Sequence, residues 1–221
     1  MALHDGLVNW PLFFGCILLG FGPLACLFFI VVAKRAQLVI IALSGAFVWL
    51  VAILVTASLW HTIPPFQTSL SATIPLAVIV HELFRLLFFY LYTHTELAVK
   101  RVTTSSHQLP LNDITSSLAG GVGFALMHSL LMFGTGLSTL ALTIIDVALM
   151  IIAFDGYRNR SVLSIGAVFG IHMGVALSAL ANLNTNGCFI SIPVHYAGAV
   201  LVCMGATTIV YRSKRFAVDG K

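Results

Sequence analysis

The stretch Val78-Ile79-Val80-His81-Glu82-Leu83-Phe84-Arg85-Leu86-Leu87-Phe88-Phe89 places a histidine, a carboxylate and a guanidinium inside an apolar run long enough to cross a bilayer. A charge at that depth is expensive and calls for a partner, a water-filled cavity or a chemical role. Glu82 and Arg85 are three residues apart, so a helix puts them on one face, where they can pair. Two uses stay open. One is a general base, metal ligand or ion-pathway group. The other is an ion pair that orders a helix bundle, for which Asp146 in a later apolar run is a second partner for Arg85. His172 and His195 lie in two further runs at depths that differ by only about 3 Å at the helical rise, so they could line one cavity. Two histidines and a glutamate can bind zinc, but no His-Glu-x-x-His is present, and histidines that hydrogen-bond across helices account for the pattern equally well. His128 fits that second description better. No metal or cofactor is expected from these spacings.

Helices must hold these groups, and the composition requires that they be membrane helices. Of the 221 residues 59% are hydrophobic and 8% are charged, with mean hydropathy +1.04. Soluble domains carry about 25% charged residues, and a chain this poor in charge cannot cover a water-facing surface. We therefore expect an all-α, polytopic membrane bundle forming a single transmembrane domain over residues 1–221. The core of a bilayer takes about 20 apolar residues of helix. Seven runs satisfy this, at roughly 10–32, 38–60, 70–92, 113–133, 137–154, 161–181 and 188–211. The fifth is short and interrupted by Asp146. Pro23, Pro75 and Pro193 do not count against helix in lipid. The polar stretch Thr93 to Asn112 is expected to be a mobile cytosolic loop.

Charge then orients the spans. Ten of the eleven Lys and Arg residues (Lys34, Arg35, Lys100, Arg101, Arg158, Arg160, Arg212, Lys214, Arg215 and Lys221) fall in alternate loops or in the tail, all on one side. The intervening connections contain none. The positive-inside rule makes the basic side cytosolic, the N-terminus lumenal or extracellular and the C-terminus cytosolic. The basic residues form no continuous face, so the net charge of +4 does not indicate nucleic acid. Asn159-Arg160-Ser161 matches a glycosylation acceptor, but this topology leaves it cytosolic and unused. Met1-Ala2-Leu3-His4-Asp5 lacks the basic start of a cleavable signal. Cys16, Cys26, Cys188 and Cys203 form no Cys-x-x-Cys pair, and three of them read as small buried hydrophobes.

Gly121, Ala125 and Ser129 form a small-x-x-x-small ridge that lets a second helix backbone approach closely. Two sources of that helix stay open, the same bundle or a partner. No Gly-x-Ser-x-Gly and no P-loop occurs, and no pair of central aspartates suits an aspartyl protease: Asp146 is central, whereas Asp113 and Asp155 sit at span edges.

Three blocks in order, Phe13-Phe14-Gly15-Cys16 through Phe21-Gly22-Pro23, Gly45-Ala46-Phe47-Val48-Trp49-Leu50-Val51 and Glu82-Leu83-Phe84-Arg85, resemble the anterior-pharynx-defective family. A looser match continues through Phe154-Asp155 and Gly170-Ile171-His172. That family is the seven-span, non-catalytic scaffold subunit of gamma-secretase, an intramembrane aspartyl protease complex. The resemblance implies assembly with a presenilin-type catalytic subunit, a nicastrin-type glycoprotein and a presenilin-enhancer-type small subunit. It also implies support for cleavage of Notch-type receptors and amyloid-precursor-type proteins, and residence in endoplasmic reticulum, Golgi and plasma or endosomal membranes. It assigns the assembly ridge to Gly121, Ala125 and Ser129, of which only the first keeps the family's glycine. The family's membrane histidine matches His172, with His195 as a second, and Glu82, Arg85, His172 and His195 become a structural polar core. The alternative is an enzyme. Glu-x-x-Arg followed by membrane histidines is similar to the glutamate-dependent proteases of the CAAX-processing type, in which Glu82 would activate water with Arg85, His172 and His195 around it. Those enzymes pair two glutamates, and here His81 precedes Glu82.

Overall fold

A computed structural model describes residues 9–102, 112–132 and 135–219. The described residues are all helical or connecting, with no strand. The elements are α1 (Trp10–Leu27), running on into a π-helical turn at Phe28–Val32, α2 (Ala36–Thr62), a short α3 (Pro64–Thr68), α4 (Leu70–Val102), α5 (Asp113–Met132), α6 (Gly136–Arg158), α7 (Val162–Ser178), with a 3-10 extension at Ala179–Leu183, and α8 (Cys188–Asp219). All but α3 are long and apolar enough to cross a membrane, giving seven candidate spans. Asn9 caps α1 by accepting from the Leu12 amide, and Pro11 stands in the first turn, where its missing N–H costs nothing. Pro23, Pro75 and Pro193 all lie within helix.

Two boundaries depart from the sequence reading. The stretch from Thr93 is not loop: α4 continues to Val102. Thr93 and Thr95 return their hydroxyls to the carbonyls of Phe89 and Leu91, which lets a polar segment stay helical beyond the apolar run. The rest of that expected loop, 103–111, lies outside the described residues. The fifth span is not short either. It runs from Gly136 to Arg158 and is the most buried of the seven. Asp146 does not interrupt it, because the carboxylate is paired inside the bundle.

The interior is apolar as in a soluble protein, but the surface is apolar as well. Leu18, Phe29, Leu43, Phe47, Leu163 and Phe189 are exposed, as lipid-facing side chains should be, while α5 buries Ser116, Ser117, Ala119, Gly120, Gly121, Gly123, Ala125 and Ser129. Without a hydrophobic force between helices in lipid, close backbone approach does the work. A Cβ on Gly45 of α2 would lie 2.7 Å from the Gly120 carbonyl oxygen, one on Gly120 2.5 Å from the Phe88 ring of α4, one on Gly121 2.9 Å from Val147 Cα of α6, and one on Gly123 2.0 Å from the Ala42 carbonyl oxygen of α2. So α5 meets three neighbours at once through bare backbone.

At the basic end, Arg158 closes α6 onto α4 and α5. Its Nε donates to Asp113 Oδ2 (2.8 Å), and its Nη2 donates to Asp113 Oδ1 (2.6 Å) and Glu96 Oε2 (3.1 Å). The group is 39% exposed, so the bidentate pair is partly screened. Arg158→Ala is expected to cost about 1 kcal/mol, read as a small fall in melting temperature in detergent that shrinks at high salt. A fall that persists unchanged at high salt would mean the side chain acts by packing alone.

Candidate polar centre

Four helices converge on a buried cluster. Arg85, on α4 and 1% exposed, donates from Nη1 to Glu82 Oε1 one turn earlier. Its Nη2 stands 3.6 Å from Asp146 Oδ1 on α6. Asp146 Oδ2 lies 2.7 Å from His128 Nδ1 on α5, and Glu82 Oε1 lies 2.5 Å from His172 Nδ1 on α7. The order is thus His172, Glu82, Arg85, Asp146, His128, with the guanidinium in the middle. An ionised carboxylate only accepts, so each imidazole is assigned as donating through Nδ1. Two carboxylates face one arginine, and the histidine N–H groups supply the rest of the positive field. Breaking any link leaves a buried charge poorly compensated, which is the costly case.

Aromatic rings wall the cluster off. Arg85 Cζ sits 5.8 Å from the Phe124 ring centre, within cation–π range. Trp49 of α2 packs edge-on to His81 at 5.2 Å and lies 5.8 Å from His128, and the His81 and His172 rings are 6.3 Å apart. Arg85 Nε is buried without a hydrogen-bond partner among the described residues.

Of the residues read as a polar core, the structure brings Glu82, Arg85 and His172 together, and the candidate partner Asp146 joins them. His195 does not. It is 3% exposed on α8, and among the described residues its Nδ1 has no hydrogen-bond partner and it bonds to none of the others. Similar expected depth did not make the two histidines neighbours, because depth says nothing of rotation about each helix axis. His128, set aside on the sequence, is a full member. Its signal was the 18-residue separation from Asp146 across a short turn, which makes antiparallel neighbours of two polar groups in adjacent spans. Among the described residues, no three His, Cys, Asp or Glu side chains converge as a metal-binding set. All four cysteines are free.

The small-residue ridge lies inside the chain. Gly121 abuts Val147 and Met150 of α6, Ala125 is fully buried, and the Ser129 hydroxyl is 2.8 Å from that of Thr143, also on α6. Gly123, which the ridge spacing passes over, makes the closest approach of the helix. Open glycines occur instead on α7, where nothing lies within 4 Å of a Cβ built at Gly166, Gly170 or Gly174.

A family profile described as Aph-1 protein matches residues 11–138 and 131–213. The chain belongs to the Aph-1 family. The matched regions include every member of the polar cluster, from Glu82 to His172. Similar proteins include the "Gamma-secretase subunit APH1-like" of Arabidopsis thaliana, 26% identical over 90% of this chain and 92% of its own length. The "Gamma-secretase subunit Aph-1" of Drosophila melanogaster is 28% identical over 79% of this chain and 82% of its own. A "Putative gamma-secretase subunit APH-1C" of Mus musculus is 28% identical over 58% and 53%. As an Aph-1 family member with seven candidate spans, the chain is an integral multi-pass membrane protein.

Proposed function

We infer that this Aph-1 family chain is a non-catalytic scaffold subunit of a gamma-secretase-type intramembrane protease complex. The family match across nearly the whole chain carries the reading, and the names of the relatives, gamma-secretase subunits in a plant, an insect and a mammal, support it. The arrangement of the polar centre fits. Glu82 Oε1 already accepts from Arg85 and lies against His172, so the carboxylate is committed to holding helices together. No observation favours Glu82 as a water-activating base, and His195 stands apart from it. In this reading the partners are a presenilin-type catalytic subunit, a nicastrin-type glycoprotein and a presenilin-enhancer-type small subunit. The substrates are type I membrane proteins of the Notch-receptor and amyloid-precursor kinds, and the sites of action are endoplasmic reticulum, Golgi and later membranes. The basic loops would face the cytosol, with the N-terminus lumenal.

The direct test is capture of the full chain from its native membranes in mild detergent. Recovery of a presenilin-type protein with it is the expected result. Cleavage of membrane substrates by the isolated chain, lost in Glu82→Gln, would sink the scaffold reading. Gly121→Leu refines the picture. Because Gly121 abuts Val147 Cα, we expect total chain and complex to fall in parallel. A complex lost from a normally accumulating chain would instead assign the ridge to direct contact with a partner.

A further inference from the structure

At the basic end, α4, α5, α6 and α8 part around a cavity of about 690 Å³. Its lining includes Glu96, Asp113, Arg158 and Ser213, which lie at or near the ends of the spans Leu70–Ala98, Asp113–Met132, Gly136–Arg158 and Cys188–Ser213. The cavity therefore sits at headgroup depth rather than in the hydrocarbon. Ile151, Phe154 and Ile209 line it one or two turns deeper along α6 and α8. Ile114 lies among the polar groups at the span ends, and the Ser117 hydroxyl, which donates back to the Ile114 carbonyl, lies among the deeper apolar groups.

Its charged groups are not all spent. Arg158 is taken up by Asp113 and Glu96. Among the described residues the Asp155 carboxylate accepts only from the Asn159 amide, at 2.9 Å, whereas an ionised carboxylate has about four acceptor sites. The Arg212 guanidinium on α8 makes no ion pair or hydrogen bond among the described residues. The cavity thus offers an uncommitted cation and an under-used carboxylate above apolar walls. A ligand that answers all three carries a phosphate, a primary amine and an acyl chain.

We propose that this cavity binds the headgroup and upper acyl chain of an amine-bearing zwitterionic phospholipid, with the phosphate on Arg212 and the ammonium on Asp155. An ammonium can donate hydrogen bonds to the carboxylate and a quaternary choline cannot. A purely anionic headgroup meets Asp155 with nothing to balance it. Inorganic phosphate shares the Arg212 chemistry but has no use for Ile151, Phe154 and Ile209.

The experiment is native mass spectrometry of the full chain in detergent, incubated in turn with phosphatidylethanolamine, phosphatidylcholine, phosphatidic acid and inorganic phosphate. Phosphatidylethanolamine should be retained in preference to the other three. Arg212→Ala should lower its retention about fivefold, the effect of one interfacial arginine, and Asp155→Asn should abolish the preference over phosphatidylcholine. Arg101→Ala, at an exposed arginine outside the cavity lining, should change nothing. Each variant is first checked for an unchanged melting temperature, with Arg212→Gln as the substitute if the alanine variant does not fold. Undiminished retention in the Arg212 variant, or equal retention of phosphatidylcholine by the wild type, overturns the proposal. Displacement of the lipid by inorganic phosphate would assign the site to a soluble phosphate and overturn it as well.

Discussion

Gly123→Leu is expected to yield no folded, monodisperse chain, whereas Gly170→Leu should purify as the wild type does. A Cβ at position 123 would stand 2.0 Å from the Ala42 carbonyl oxygen and 2.8 Å from the Ala46 amide nitrogen. Both are backbone atoms of α2 and cannot swing aside as a side-chain tip can. Relief requires the two helices to separate, which undoes the Gly45–Gly120 contact nearby. The cost should exceed the about 1–3 kcal/mol of ordinary overpacking. At Gly170 a Cβ meets nothing within 4 Å, so the same change of volume has no neighbour to displace. Size-exclusion chromatography of tagged chains in detergent, followed by thermal unfolding of any folded fraction, reads the difference. Equal melting temperatures for Gly123→Leu and the wild type would mean that α2 and α5 do not cross as described.

Arg85→Met should cost about 3–5 kcal/mol, the scale for removing one member of a buried ion pair. The methionine fills much of the volume, so the loss is electrostatic. Glu82 and Asp146 would then face each other across an apolar gap with only His172 and His128 beside them. Adding Glu82→Gln and Asp146→Asn to the same chain removes both carboxylate charges and should recover a large part of the melting temperature. That pattern separates charge from shape. If the single variant melts like the wild type, or if the triple variant melts lower still, the guanidinium is not what holds the four helices.

Much of this was legible from residue types. The seven spans followed from apolar length and from the alternation of Lys and Arg between loops, because lipid thickness sets a hard period on the chain. The Glu82–Arg85 pair followed from a spacing of three, and Asp146 as a second partner from its depth. What residue types do not encode is rotation about each helix axis. This is why His172 reached Glu82 while His195, at nearly the same depth, did not. It is also why the ridge spacing misses Gly123: an i, i+4 ridge describes one face, and α5 is crossed on several. The end of α4 lies beyond the apolar run for a different reason. Hydropathy marks where lipid stops, while helix continues as long as the backbone bonds are satisfied.

The polar centre also has a consequence for how the chain is made. Glu82 and Arg85 leave the ribosome three residues apart, so α4 can enter the bilayer as a self-neutralised segment. Asp146 and His128 emerge afterwards, 18 residues apart, in two consecutive spans. His172 comes last, 90 residues after the glutamate it contacts. Until α7 is inserted, Glu82 lacks its histidine, and until α6 is inserted, Arg85 carries its charge with a single counter-ion. The cluster is therefore complete once α7 is in place, with α8 still to follow. A chain that stops before α7 presents unmatched polar groups to the membrane.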